Sequence, residues 1–128
     1  METYLARALQ AAHSARSLRA DGDFNAASNR AYYATYYAIR GLFELTGKDD
    51  FGKTHASVLR AFSQDFVLTG KAPRELGRAL AIVQNLRSKA DYSVEGASQE
   101  DAEAALSAME SLLAFALPQL NNRTEPSP

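Results

Sequence analysis

Three groups of residues in this chain could do chemistry. The first is Arg87, Asp91 and Tyr92, in the stretch Arg87-Ser88-Lys89-Ala90-Asp91-Tyr92. Arg87 and Asp91 are four apart, a spacing that puts both on one helical face. They read either as an intrahelical ion pair near a helix C-terminus, or as an acid orienting Arg87 toward a ligand. In the second case Tyr92 stacks on a base or hydrogen-bonds a phosphate. The second group is Arg30 with Tyr33 and Tyr37. Arg30 either pairs with a carboxylate and orients the fold, or binds phosphate through its planar fork of donors. The third is His55, at an expected helix start. It is either a cap or surface residue, or an imidazole whose pKa the helix start lowers and which then serves acid–base chemistry.

Four tyrosines, Tyr32, Tyr33, Tyr36 and Tyr37, form two adjacent pairs. Adjacent residues cannot share one narrow helical face, so the rings must cover a wide sector. They read as core and edge residues of a helix, or as a protein interface that joins apolar area to hydroxyl groups.

Much other chemistry is excluded. The 128 residues contain no cysteine, which removes disulfides, thiolate catalysis and thiolate metal sites. His13 and His55 are the only imidazoles, so neither a metal site nor a cofactor is expected. There is no GxxxxGK[ST] loop, no GxGxxG after a strand, no HExxH and no serine-hydrolase elbow. The net charge of -1 argues against a coat-type DNA-binding protein but leaves room for a local basic site. No run of about 18 apolar residues occurs, so no membrane span is expected. The opening METYLARALQ does not read as a secretory signal, and a cytoplasmic location is expected.

The elements that must position these residues are helices. There are 24 alanines and 15 leucines against 12 valines, isoleucines and threonines together. Helix formers therefore dominate, and strand-like alternation is missing. A first helix is expected from about Glu2 to Ala20, with Leu5, Leu9, Ala12 and Ala15 toward the core. It ends at Asp21-Gly22-Asp23, where Asp23 or Asn25 caps the next helix. The second runs from Phe24 to about Thr46 and stops at Gly47. A link over Lys48–Lys53 leads to a third helix from Thr54 to Leu68. A fourth takes Pro73 in its first turn, continues to Ala90 or Asp91, and is followed by a loop over Tyr92–Gly96. Ser98 and Asp101 form a capping-box pattern for a fifth helix, which Pro118 kinks or ends. The expected fold is all-α, an antiparallel bundle of about five helices. Residues 1–120 form a single domain and 121–128 a flexible tail.

The stretch Asp21-Gly22-Asp23-Phe24-Asn25-Ala26-Ala27-Ser28-Asn29-Arg30-Ala31-Tyr32-Tyr33-Ala34 resembles the opening signature of HEPN domains (higher eukaryote and prokaryote nucleotide-binding). Thr54-His55 and the segment Arg87 to Tyr92 follow in the order of that family. The resemblance covers roughly Leu5 to Leu117 and is greatest to the small stand-alone prokaryotic branch of UPF0332 type. It implies a helical bundle, commonly a homodimer, often paired with a minimal nucleotidyltransferase in a toxin-antitoxin type system. Some members are metal-independent RNases that carry an arginine followed after four to six residues by histidine. Here Arg87 matches the arginine, Tyr92 stands in place of the histidine, and no histidine follows. A tyrosine with an ordinary pKa near 10 is a poor substitute for imidazole as a base.

The resemblance thus implies a subunit that homodimerises and binds a nucleotidyltransferase, a nucleotide or RNA. Arg30, Tyr33, His55, Arg87, Asp91 and Tyr92 are its expected ligand-binding residues. One alternative is a ribonuclease with a non-standard site, using His55 as base and Arg87 as phosphate clamp. Another is a purely structural dimerisation module.

Overall fold

A computed structural model describes residues 3–49 and 54–124, with the side chains of 123 and 124 excepted. Among these residues five α-helices occur in chain order: α1 Tyr4–Ala20, α2 Phe24–Thr46, α3 His55–Phe62, α4 Glu75–Tyr92 and α5 Gln99–Thr124. No strand is present among the described residues. The short α1–α2 and α4–α5 connections make those two pairs antiparallel neighbours. The long α2 is central and packs against α1, α4 and α5.

Local chemistry explains most boundaries. Thr3 caps α1 by accepting the Ala6 N–H at 3.0 Å; Glu2, the expected start, lies outside the described residues. Asp23 caps α2, accepting from Ala26 N–H at 3.2 Å. Gly47 ends that helix in the left-handed region at φ 75°, where a Cβ would be strained. Thr54 and Ser57 make a reciprocal capping box at α3. Ser98 and Asp101 make another at α5, with bonds of 3.0 and 3.1 Å.

Three expectations are corrected, and for Pro118 one of two alternatives is closed. Leu9 is 47% exposed, and α1 instead buries Ala8, Ala11, Ala12 and Ala15. Small residues let α1 approach α2 closely, and that contact chooses the face. The third helix leaves α geometry at Ser63–Val67, a π-helical turn closed by the Leu68 N–H to the Ser63 carbonyl at 2.9 Å. There Phe66 stacks on Phe62 at 4.9 Å and meets Phe43 and Phe115 edge-on. Pro73 lies just before α4: its carbonyl takes the Leu76 N–H in a preceding turn. Pro118 does not end α5, which runs on to Thr124, four residues into the expected tail. The remainder of that tail, 125–128, and link residues 50–53 lie outside the described residues.

The core is continuous through the bundle. Its largest fully buried side chains are Phe43, Phe62, Ile39, Leu42, Leu59, Met109 and Leu112. Burial of each such side chain contributes about 1.5–3 kcal/mol. Ion pairs fasten the exterior: Arg16 to Glu110 between α1 and α5, and Lys89 to Asp101 across the α4–α5 turn. Asn25 at the start of α2 accepts the Ala97 N–H at 2.6 Å and holds the same turn against α2.

Candidate functional site

Two helices and one helix start meet over the tyrosine-bearing segment of α2. Tyr32 and Tyr36 are buried, while Tyr33 and Tyr37 are half-buried and form the outer sector. Tyr33 meets Tyr32 edge-on at 5.2 Å, Tyr36 at 6.5 Å and Tyr37 at 6.0 Å. The rings thus form one connected surface that is both core and edge.

Arg87, on α4, stands over this surface. Its guanidinium carbon is 4.8 Å from the centroid of Tyr32 and 5.8 Å from that of Tyr33. Arg30, on α2, is 4.9 Å from the same Tyr33 ring. Cations over aromatic faces are attracted by the ring quadrupole, which fixes both heads without neutralising them. Arg87 also donates from Nε to Asp91 Oδ2 at 2.9 Å, the ion pair its spacing implied. The same Asp91 oxygen accepts from Asn29 Nδ2 at 3.3 Å. Asn29 Oδ1 in turn accepts from Arg30 Nη2 at 2.7 Å and Nε at 3.1 Å. A chain of hydrogen bonds therefore joins Arg30, Asn29, Asp91 and Arg87 across α2 and α4. The hydrogen bonds of Arg30 go to a neutral amide, not to a carboxylate.

His55 enters from the first position of α3, immediately after the Thr54 cap. Its ring lies 4.3 Å from Tyr36, 5.5 Å from Tyr33 and 6.2 Å from Tyr32. Burial lowers its pKa below the ordinary value, and the charges of Arg87 and Arg40 lower it further. Both effects favour the neutral imidazole, the form a general base needs. Burial raises the pKa of Tyr32, against the opposing pull of Arg87, so its hydroxyl stays protonated.

Arg30, Tyr33, His55, Arg87 and Asp91 are thus brought together. Tyr92 is not: it ends α4, is 77% exposed, and joins none of the ring contacts above. Sequence reasoning missed Asn29, Tyr36 as a neighbour of His55, and Arg40, whose Nη1 donates to the Tyr36 hydroxyl at 3.2 Å. The i to i+4 spacing of Tyr36 and Arg40 was the available signal. Asn29 gave none, because its partner Asp91 is remote in sequence. No cluster of three or more His, Asp or Glu side chains that could hold a metal occurs among the described residues.

No helix among the described residues is long and apolar enough to cross a membrane. The family model for the HEPN domain matches residues 1–120. A "UPF0332 protein" of Thermotoga maritima is 35% identical over 92 residues, 72% of this chain and 68% of the relative. "Putative toxin MJ0605" of Methanocaldococcus jannaschii is 38% identical over 74 residues, 58% of this chain and 54% of that protein. "Putative toxin MJ0142" of the same organism is 27% identical over 92 residues, 72% of this chain and 61% of that protein. The matched stretch therefore spans less than two thirds of both toxin-named relatives.

Proposed function

The chain belongs to the HEPN domain family, and from that premise we propose that it is the HEPN subunit of a toxin-antitoxin type system, binding a nucleotide or RNA phosphate at the Arg30–Arg87 edge. One observation carries this reading. Two arginines from different helices converge on the single Tyr33 ring, with one carboxylate, Asp91, bonded to Arg87 and linked to Arg30 only through Asn29. Both guanidiniums stand over the same ring and, among the described residues, only one is paired with a carboxylate, and a phosphate suits guanidinium forks. The rings beside them offer faces for a base. The "putative toxin" names of two relatives support the system-level part of the reading. A second copy of the chain and a minimal nucleotidyltransferase are its proposed partners.

The direct test is binding of labelled single-stranded RNA and of a mononucleotide, followed by fluorescence anisotropy at two salt concentrations. Salt-sensitive binding that Arg87→Ala and Arg30→Ala both weaken supports the reading. Equal binding by the folded variants refutes it. Copurification with a nucleotidyltransferase, read by mass analysis, tests the partner and the stoichiometry together.

A second reading is favoured by His55. A neutral imidazole shares the Tyr32 and Tyr33 rings with the Arg87 guanidinium. In RNA cleavage by transphosphorylation the 2'-oxygen gives its proton to a base and bonds to phosphorus, the bond to the 5'-oxygen breaks and that oxygen takes a proton from water, with positive charge stabilising the phosphate. His55 and Arg87 supply those two roles without Tyr92. Loss of RNA cleavage in His55→Ala and Arg87→Ala, with the fold intact, supports this reading, and undiminished cleavage rejects it.

A further inference from the structure

The arginine and tyrosine surface does not stop at Arg30. On the other side of that residue a cleft of about 290 Å³ opens between α1 and α2, lined by Arg7, Gln10, Ala11, Ser14, Arg30 and Tyr37. Its volume lies just below the range of ligand pockets, roughly 300–1,000 Å³. Its lining is mostly polar: two guanidiniums, an amide and a hydroxyl, with the Tyr37 ring as one wall. Arg7 stands 5.8 Å from the centroid of that ring. Tyr37 is in turn 6.0 Å from Tyr33, the ring shared by Arg30 and Arg87. A connected run therefore leads from Arg87 over the Tyr33 and Tyr37 rings to Arg7, with a cation at each end and two rings between. Arg30 belongs to both ends, reaching Tyr33 on one side and lining the cleft on the other.

We propose that the cleft between α1 and α2 is a second phosphate site, in which Arg7 and Arg30 bind the next phosphate of a single-stranded oligonucleotide whose first phosphate lies at Arg87. This inference rests on the reading of the Arg30–Arg87 edge as a phosphate site. It adds that the ligand is a strand of at least two phosphates, not a mononucleotide. The physical reason is the order of this run, positive charge at both ends and aromatic faces between. A mononucleotide needs one cationic clamp and one ring. A strand needs repeated positive charge along its backbone, with aromatic faces between the charges for successive bases. Gln10 and Ser14 offer hydrogen bonds to phosphate or sugar oxygens, contacts that set position without reading sequence.

The experiment is calorimetric titration of the full chain with adenosine monophosphate and with oligoadenylates of two to six nucleotides. Wild-type protein is expected to bind the oligonucleotides more tightly than the monophosphate. Arg7→Ala is expected to erase that gain while leaving monophosphate binding unchanged, and to reduce the slope of log K against log salt by roughly 0.7 for the lost phosphate contact. Arg7→Lys is expected to recover part of the gain. Arg7 is exposed on α1, and an unchanged melting temperature shows that the variants remain folded. If Arg87→Ala abolishes oligonucleotide binding while Arg7→Ala does not alter it, the second site is wrong and the first stands. If wild-type protein binds the monophosphate as tightly as the hexanucleotide, the strand inference is overturned. If it binds neither, the phosphate reading of the whole edge fails.

Discussion

Arg30 and Arg87 hold their guanidinium carbons 4.9 and 5.8 Å from the centroid of one ring, Tyr33. The first reaches it from its own helix and the second from α4. Asp91 is bonded directly to Arg87 and reaches Arg30 only through Asn29. One carboxylate therefore organises two cations without neutralising both.

The role of Asp91 follows from this geometry. Its ion pair with Arg87 is partly exposed, and such pairs contribute about 0–1 kcal/mol to stability. Asp91→Ala should thus lower stability by no more than about 1 kcal/mol, read by urea titration. It makes the edge more positive, yet phosphate or RNA affinity should fall, because Arg87 and Asn29 lose the atom that orients them. Tighter binding in Asp91→Ala would show that the acid only offsets charge.

His55 should titrate below the ordinary histidine value of about 6.5 in an NMR pH series. Burial is the larger cause and the Arg87 charge a smaller one, so Arg87→Ala should raise the His55 pKa part of the way back. The sign for stability follows from linkage. The fold prefers the neutral imidazole, so this contribution is complete above the unfolded pKa and is lost as pH falls through the lower folded value. Wild-type protein should lose stability in that acidic window more than His55→Gln does. Identical pH profiles for the two proteins would contradict it.

Ser28 presents a different kind of prediction. Its side chain is fully buried and Oγ has no hydrogen-bond partner among the described residues. An unsatisfied buried hydroxyl costs about 1–3 kcal/mol, and alanine is the better helix former. Ser28→Ala should therefore be stabilising, by about 1 kcal/mol after allowance for the small void it leaves, a rise of a few degrees in Tm. A clear loss of stability would mean that the hydroxyl is satisfied.

The α4–α5 turn depends on a pair that is remote in sequence. Gly96 has φ 72°, and a Cβ there would come within 2.7 Å of Asn25 Oδ1, the atom that accepts the Ala97 N–H. Gly96→Ala should destabilise by about 1–3 kcal/mol, from backbone strain and from the displaced side chain. Asn25→Ala should cost about 1 kcal/mol. The double variant should cost less than the two together, because the steric part of the first disappears with Asn25. Strict additivity in chemical denaturation would contradict the contact.

What the sequence determined by itself is local. The Asp23 cap, the Gly47 terminus, the Ser98–Asp101 box and the Arg87–Asp91 pair all join residues at most four apart, where helical geometry alone sets the distance. The helix count is local too, since composition and capping define each segment. What the tertiary structure decided is which faces meet. Leu9 and Ala8 both suit a buried stripe, and only the close approach of α1 to α2 turns Ala8 inward. Arg30, His55 and Arg87 converge on Tyr33 because α3 and α4 pack on the sector of α2 that carries Arg30, and the exposed Tyr92 stays outside that sector although it lies next to Asp91 in sequence. Spacing along a chain fixes neighbours within a helix, whereas packing between helices depends on side-chain volumes summed over whole faces, which no single spacing encodes.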